Sequence, residues 1–156
     1  MPNKARYTAP SAIILGDPEV GEGTWIGHFT VLDGSNGLKI GKNCSIASGV
    51  HIYTHSTHKA VTEKGPYLEA PVTIGDRVAI GANAVIMYGC IIGDNVCIPA
   101  LTLLKPYTEI NRVKKPENGL YQVLVSETEF GNCYYLTSDK EAAKNIAEAL
   151  YEDRKK

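Results

Sequence analysis

Aliphatic residues recur every six positions along most of the first two thirds of this 156-residue chain. The series runs Ile14, Val20, Ile26, Leu32, then Ile40, Ile46, Ile52, then Ile74, Ile80, Ile86, Ile92, Ile98, Leu104. Glycine often follows directly, as at Gly21, Gly27, Gly41, Gly75, Gly81 and Gly93. Four places after the aliphatic the side chain is small or compact: Thr24, Thr30, Cys44, Val50, Val78, Ala84, Cys90, Val96, Thr102. A helix needs a period of 3.6 and a half-buried strand a period of 2. Neither gives six. A solenoid does: each hexad supplies one short strand and one corner, three hexads close a coil, and stacked coils align their aliphatics in a dry core. The compact residue fits where the walls converge, and the glycine is expected at the corner, where φ turns positive. Cys44 and Cys90 fall on the compact offset and read as core filler.

Composition excludes several classes. A chain 44% hydrophobic and 21% charged is globular rather than disordered, and its net charge of −1 offers no general attraction to nucleic acid or an anionic membrane. No apolar run reaches the length of a membrane span, and MPNKARYTAP lacks a signal-peptide core, so a cytoplasmic location is expected. Cys44, Cys90, Cys97 and Cys133 show no CxxC spacing, which argues against a zinc ribbon or a disulfide framework.

The rhythm breaks twice. Two extra residues enter between Leu32 and Ile40, near DGSNG (33–37), and sixteen between Ile52 and Ile74. A solenoid tolerates such loops because each coil touches only its neighbours, and a loop this long in a compact domain is usually functional. The longer one, HIYTHSTHKAVTEKGPYLEAP (51–71), begins with three of the four histidines, His51, His55 and His58. His51 directly precedes an inward aliphatic and is expected to be a solvated strand residue. His28 lies outside the core register near the DGSNG bulge; a plain surface role is expected for it, with lining of an acceptor pocket together with Asp33 as the alternative.

The stretches LKIGKNCSIASGVHIYTH (38–55) and VTIGDRVAIGANAVIMYGCIIGDN (72–95) resemble the hexapeptide-repeat acyltransferases, over about residues 12–110. IYTH followed by APVTIGDRV is similar to their sugar and polysaccharide O-acetyltransferase branch. The resemblance implies an all-β solenoid, a left-handed parallel β-helix; the general rule for parallel crossovers would give the opposite hand. It also implies a homotrimer that takes acetyl-CoA in a groove between subunits, a saccharide acceptor, no metal, and a loop histidine as catalytic base. His55 fits that position, with His58 as its rival. A neutral imidazole, with an unperturbed pKa near 6.5, takes the proton of an attacking hydroxyl and contributes about 10²–10⁴-fold. N-acetylation of an amino sugar would use the same base and groove. Two other readings stay open: a γ-class carbonic anhydrase-like metal enzyme, disfavoured by the histidine spacing and by the lack of any histidine after His58, and a non-catalytic scaffold.

The resemblance places Ala82 and Ala100 where small residues line the CoA groove, and Lys105 where a cation meets the nucleotide phosphates. The chain departs from the family there: IPALTLLKPYTEI puts Leu101 at a usual glycine and lacks about three residues around Lys105. The β-helix is expected over 1–112, with the inserted loop at 53–71. Beyond KKPENG (114–119) the hexad rhythm stops. Residues 113–156 read as a small α+β extension: LYQVLVSE and NCYYLTS as strands, then a helix over 139–153 whose capping box is Ser138 and Glu141. That helix is expected to cap the last coil.

Overall fold

A computed structural model describes residues 3–110 and, beyond them, the backbone of two strands, Tyr121–Thr128 and Gly131–Thr137. The hexads become the fifteen strands of three five-stranded parallel sheets, one strand per coil in each sheet. The first face holds Tyr7–Thr8, Trp25–Ile26, Ser45–Ile46, Ala79–Ile80 and Cys97–Ile98. The second holds Ile13–Gly16, Val31–Gly34, His51–Ile52, Val85–Ile86 and Leu103–Leu104. The third holds Glu19–Val20, Leu38–Ile40, Val72–Ile74, Ile91–Ile92 and Glu109–Ile110. The architecture is a parallel β-helix with very little helix.

Register explains the core. Ile26, Ile46, Ile80 and Ile98 stand in one column, Ile14, Leu32, Ile52, Ile86 and Leu104 in a second, and Val20, Ile40, Ile74, Ile92 and Ile110 in a third. All but Ile14 are buried. Ile14 keeps the register but is 38% exposed, because the first coil has no coil below it on this face. Val20 in the same coil is covered by a bridge from Asn3. Between the columns the compact offsets close the corners: Thr24, Thr30, Cys44, Val50, Val78, Ala84, Cys90 and Val96 are all buried. Cys44 and Cys90 donate to the backbone carbonyls of Gly75 and Lys105 at 3.1 and 3.2 Å, and burial pushes both thiols up. They are filler, not chemistry.

The glycines after the aliphatics work differently from expectation. None of the six has positive φ. The left-handed residue comes two places later, at Gly23, Phe29, Asn43, Gly49, Arg77, Asn83, Asn95 and Leu101. What requires glycine directly after the aliphatic is the neighbouring coil: a Cβ on Gly27 would stand 2.8 Å from the Ser48 amide, and one on Gly21 2.5 Å from the Gly41 carbonyl carbon. Coil spacing, not φ, fixes the residue there.

The chain divides into two compact units, Met1–Asn111 and Arg112–Lys156. The second contains an antiparallel hairpin, with Val123 opposite Tyr135 and a register shift between Leu124 and Ser126. The helix expected over 139–153 and the linker at 114–119 lie outside the described residues. No helix among the described residues is long and apolar enough to cross a membrane.

Candidate active site

Both breaks fall at one corner of successive coils, between the second face and the third. The bulge follows Val31–Gly34 and the long loop follows His51–Ile52, the next strand in the same sheet. They are tied to each other. The Asn36 N–H donates to Thr54 Oγ1 at 3.2 Å, and the Val72 N–H donates to the Gly37 carbonyl at 3.0 Å. Gly37, with φ of 91°, turns the bulge against Pro71. Within the loop, His55–Ser56 pairs antiparallel with Leu68–Glu69, and the Ala70 N–H donates to the Thr54 carbonyl. The remainder includes one helical turn, His58–Thr62, none of whose residues is buried.

Asp33 is the hub of this corner, fully buried with every oxygen engaged. Oδ1 accepts from the Ser35 N–H at 3.0 Å; Oδ2 accepts from the Thr54 N–H at 3.0 Å and lies 2.7 Å from His55 Nδ1. Burial pushes its carboxyl up, but the hydrogen bonds from the Ser35 and Thr54 hydroxyls and amides outweigh that and hold it well below the usual carboxylate range. An ionised carboxylate only accepts, so His55 carries its proton on Nδ1 and turns the Nε2 lone pair outward. The imidazole is anchored on one side and open on the other, its side chain 38% exposed.

Asp33, expected beside His28, is therefore the partner of His55. His28 stands at the opposite corner of the same coil, exposed, its Nδ1 2.9 Å from Ser11 Oγ. His58 is exposed with Nδ1 2.7 Å from Ser56 Oγ. His51, expected in solvent, is half-buried, with Nδ1 3.0 Å from the Tyr53 hydroxyl and the two rings edge to face. Ala82 and Ala100 are half-buried at the corner between the first and second faces, joined through the Leu101 N–H to the Ala82 carbonyl at 2.9 Å. Lys105 is exposed at the corner between the second and third faces, two coils above the His55 loop. The expected cofactor residues thus lie on two different edges of the second face. Thr54 and Ser35 were missed. Their signal lay in the register: counted in units of three hexads, both breaks follow the same column, so bulge and loop had to touch.

Residues 71–106 match the family described as bacterial transferase hexapeptide (six repeats). The chain is 36% identical over 98 residues to γ carbonic anhydrase 2, mitochondrial, of Arabidopsis thaliana, covering 62% of this chain and 32% of that protein. It is 32% identical over 106 residues to the carnitine operon protein CaiE of Proteus sp. strain LE138, covering 64% and 53%. The chain thus spans between a third and about half of the length of these relatives. Among solved structures, the N-acyltransferase AntD of Bacillus cereus, in complex with dTDP and 3-hydroxybutyryl-CoA, superposes with a TM-score of 0.58 at 17% identity, covering 92% of this chain and 75% of that one. That likeness shows a shared fold, the parallel β-helix.

Proposed function

We propose that this protein is a CoA-dependent acyltransferase that acetylates a saccharide hydroxyl from acetyl-CoA, with His55 as general base. The observation that carries the reading is the buried Asp33 carboxylate on His55 Nδ1. It fixes the tautomer whose Nε2 removes the acceptor proton as the oxygen attacks the thioester carbon. The tetrahedral oxyanion then collapses, the C–S bond breaks, and the proton on Nε2 passes to the CoA sulfur. Among the described residues His58, on an exposed turn, has Ser56 as its partner and no orienting carboxylate. The presence of CoA ligands in a protein of the same fold supports the donor. An amino acceptor would use the same base, and AntD being an N-acyltransferase keeps that variant as the alternative within the class.

A homotrimer fits the outer surface of the second face. Its outward ladder runs Ile13, Val31, His51, Val85, Leu103, with Ile13 55% and Leu103 58% exposed. Turning this face towards a three-fold axis would bury apolar surface, and would bring the edge with Ala82 and Ala100 of one copy against the edge with Lys105 of the next. Ala82, Ala100 and Lys105 would then line one CoA groove.

Thermal unfolding with acetyl-CoA, with free CoA, and with zinc plus chelator controls tests the donor. Ligand at a hundred times its Kd adds about 2.7 kcal/mol to the native state. A rise with acetyl-CoA and none with zinc supports the reading; a rise with zinc alone favours the carbonic anhydrase alternative. Competition between hydroxylated and amino sugars then separates O- from N-transfer.

A further inference from the structure

Two places after each inward aliphatic the coil turns a corner, and the side chain there faces out. Glu22, His28, Lys42, Ser48, Asp94 and Pro106 are exposed at that offset, and among the described residues only Thr54 and Tyr88 are buried there. Thr54 is at the root of the inserted loop. Tyr88 holds the same phase one coil above it, and is 5% exposed yet stands outside the aliphatic core. From the next coil up, Tyr107 meets its ring edge to face, with centroids 5.6 Å apart, and the Tyr107 N–H donates to the Tyr88 carbonyl at 3.1 Å. A side chain at Gly89 would collide with the Tyr107 ring, so the glycine keeps this seat open.

The hydroxyl of this buried tyrosine is free. No hydrogen bond joins it to another described residue, and no side-chain oxygen or nitrogen sealed from solvent lacks a partner among them. The hydroxyl is therefore the end of the side chain that meets solvent. Phenylalanine would fill the same space, and a buried tyrosine ordinarily finds a partner for its O–H. A ring gripped this deeply with its O–H uncommitted is a donor held in place for something outside the chain.

Its place along the corner indicates the target. The corner between the second and third faces carries Asp33, then His55, then Tyr88, then Lys105, in successive coils. Neighbouring coils are about 4.8 Å apart, within reach of a tyrosine side chain. An acyl donor with its phosphates at Lys105 and its reacting carbon at His55 has to pass Tyr88. We propose that the Tyr88 hydroxyl is the oxyanion donor of this site, hydrogen-bonding the thioester oxygen as the acceptor attacks. The acceptor oxygen bonds to the thioester carbon, His55 Nε2 takes its proton, and the carbonyl electron pair moves onto the oxygen that Tyr88 faces. Tyr88 keeps its own proton throughout. When the carbonyl re-forms and the C–S bond breaks, the charge leaves that oxygen and the hydrogen bond weakens. Such a donor acts on charge that exists only in the transition state, where it contributes most to rate. This inference rests on the acyltransferase reading above.

Tyr88→Phe tests it, because the change removes the hydroxyl and leaves the ring against Tyr107. Thiol release from acetyl-CoA, with hexose methyl glycosides as acceptor probe, should fall about 10²–10³-fold in kcat, as for removal of one oxyanion donor. The KM values for acetyl-CoA and for the glycoside should stay within about twofold, since the contact forms only in the transition state. The urea midpoint should not fall, because the hydroxyl has no partner in the chain to lose. A folded Tyr88→Phe enzyme with the wild-type rate overturns the inference. So does a loss confined to KM for the glycoside, which would make Tyr88 an acceptor contact, or a loss of rate matched by a lower urea midpoint, which would make its role structural. Absence of thiol release from the wild type, with an unshifted acetyl-CoA melt, instead sinks the acyltransferase reading itself, and the inference with it.

Discussion

Replacing Asp33 by Asn isolates the orienting role of the carboxylate, because the shape is kept while the charge and half of the accepting capacity are lost. In the native corner Oδ2 takes the Thr54 N–H at 3.0 Å and the His55 Nδ1–H at 2.7 Å, while Oδ1 takes the Ser35 N–H at 3.0 Å. The Asn side chain has one oxygen. With that oxygen on Ser35, its NH₂ faces the Thr54 amide, and the remaining hydrogen bond survives only if His55 moves its proton to Nε2. A hydrogen bond to a charged group contributes about 1.5–3 kcal/mol, so losing the charge and one such bond lowers stability by roughly 2–4 kcal/mol. The larger effect is on rate, since an imidazole protonated on Nε2 has no lone pair for the acceptor. The expected fall in kcat is about 10²–10⁴-fold. Thiol release at saturating acetyl-CoA measures it, and a urea melt of the same sample confirms that the variant is folded. In the His55→Ala background the same change should add almost nothing to the loss, because the two residues act as a unit. A folded Asp33→Asn protein with kcat within about threefold of wild type would refute the orienting role.

Acid titration gives an independent view of Asp33. Its folded pKa lies below its ordinary value of 3.8, so the unfolded chain takes the proton first as pH falls. The stability it contributes is complete above about pH 4 and is lost below it; urea midpoints between pH 5 and pH 2.5 should decline less steeply in Asp33→Asn than in wild type. Ile80→Ala empties a fully enclosed position in the middle of the first column, and should cost about 2–5 kcal/mol by urea unfolding. Leu101→Gly should do the reverse: Leu101 is 64% exposed with φ of 61°, so removing the side chain relieves a left-handed backbone at little loss of burial. A gain of about 1 kcal/mol is expected, and a lower midpoint would show that Leu101 makes contacts absent from the single chain.

The hexad pattern alone determined the solenoid, its three columns, the compact corner residues and the inert placement of Cys44 and Cys90. The reason is that a β-helix is quasi-one-dimensional: each residue's environment depends on its phase within the coil, and phase is written directly in the spacing. The breaks were legible for the same reason, as departures from that phase. The tertiary structure decided what the spacing could not express, namely which irregular residues meet. Asp33 and His55 are twenty-two positions apart in two segments that carry no repeat, and their pairing arises only when the bulge and the loop stack at one corner through Asn36, Thr54 and Val72. The left-handed positions were misplaced from sequence for a related reason. A glycine required by the closeness of the next coil looks the same in a single sequence as one required by φ, and only the stacked coordinates tell the two apart.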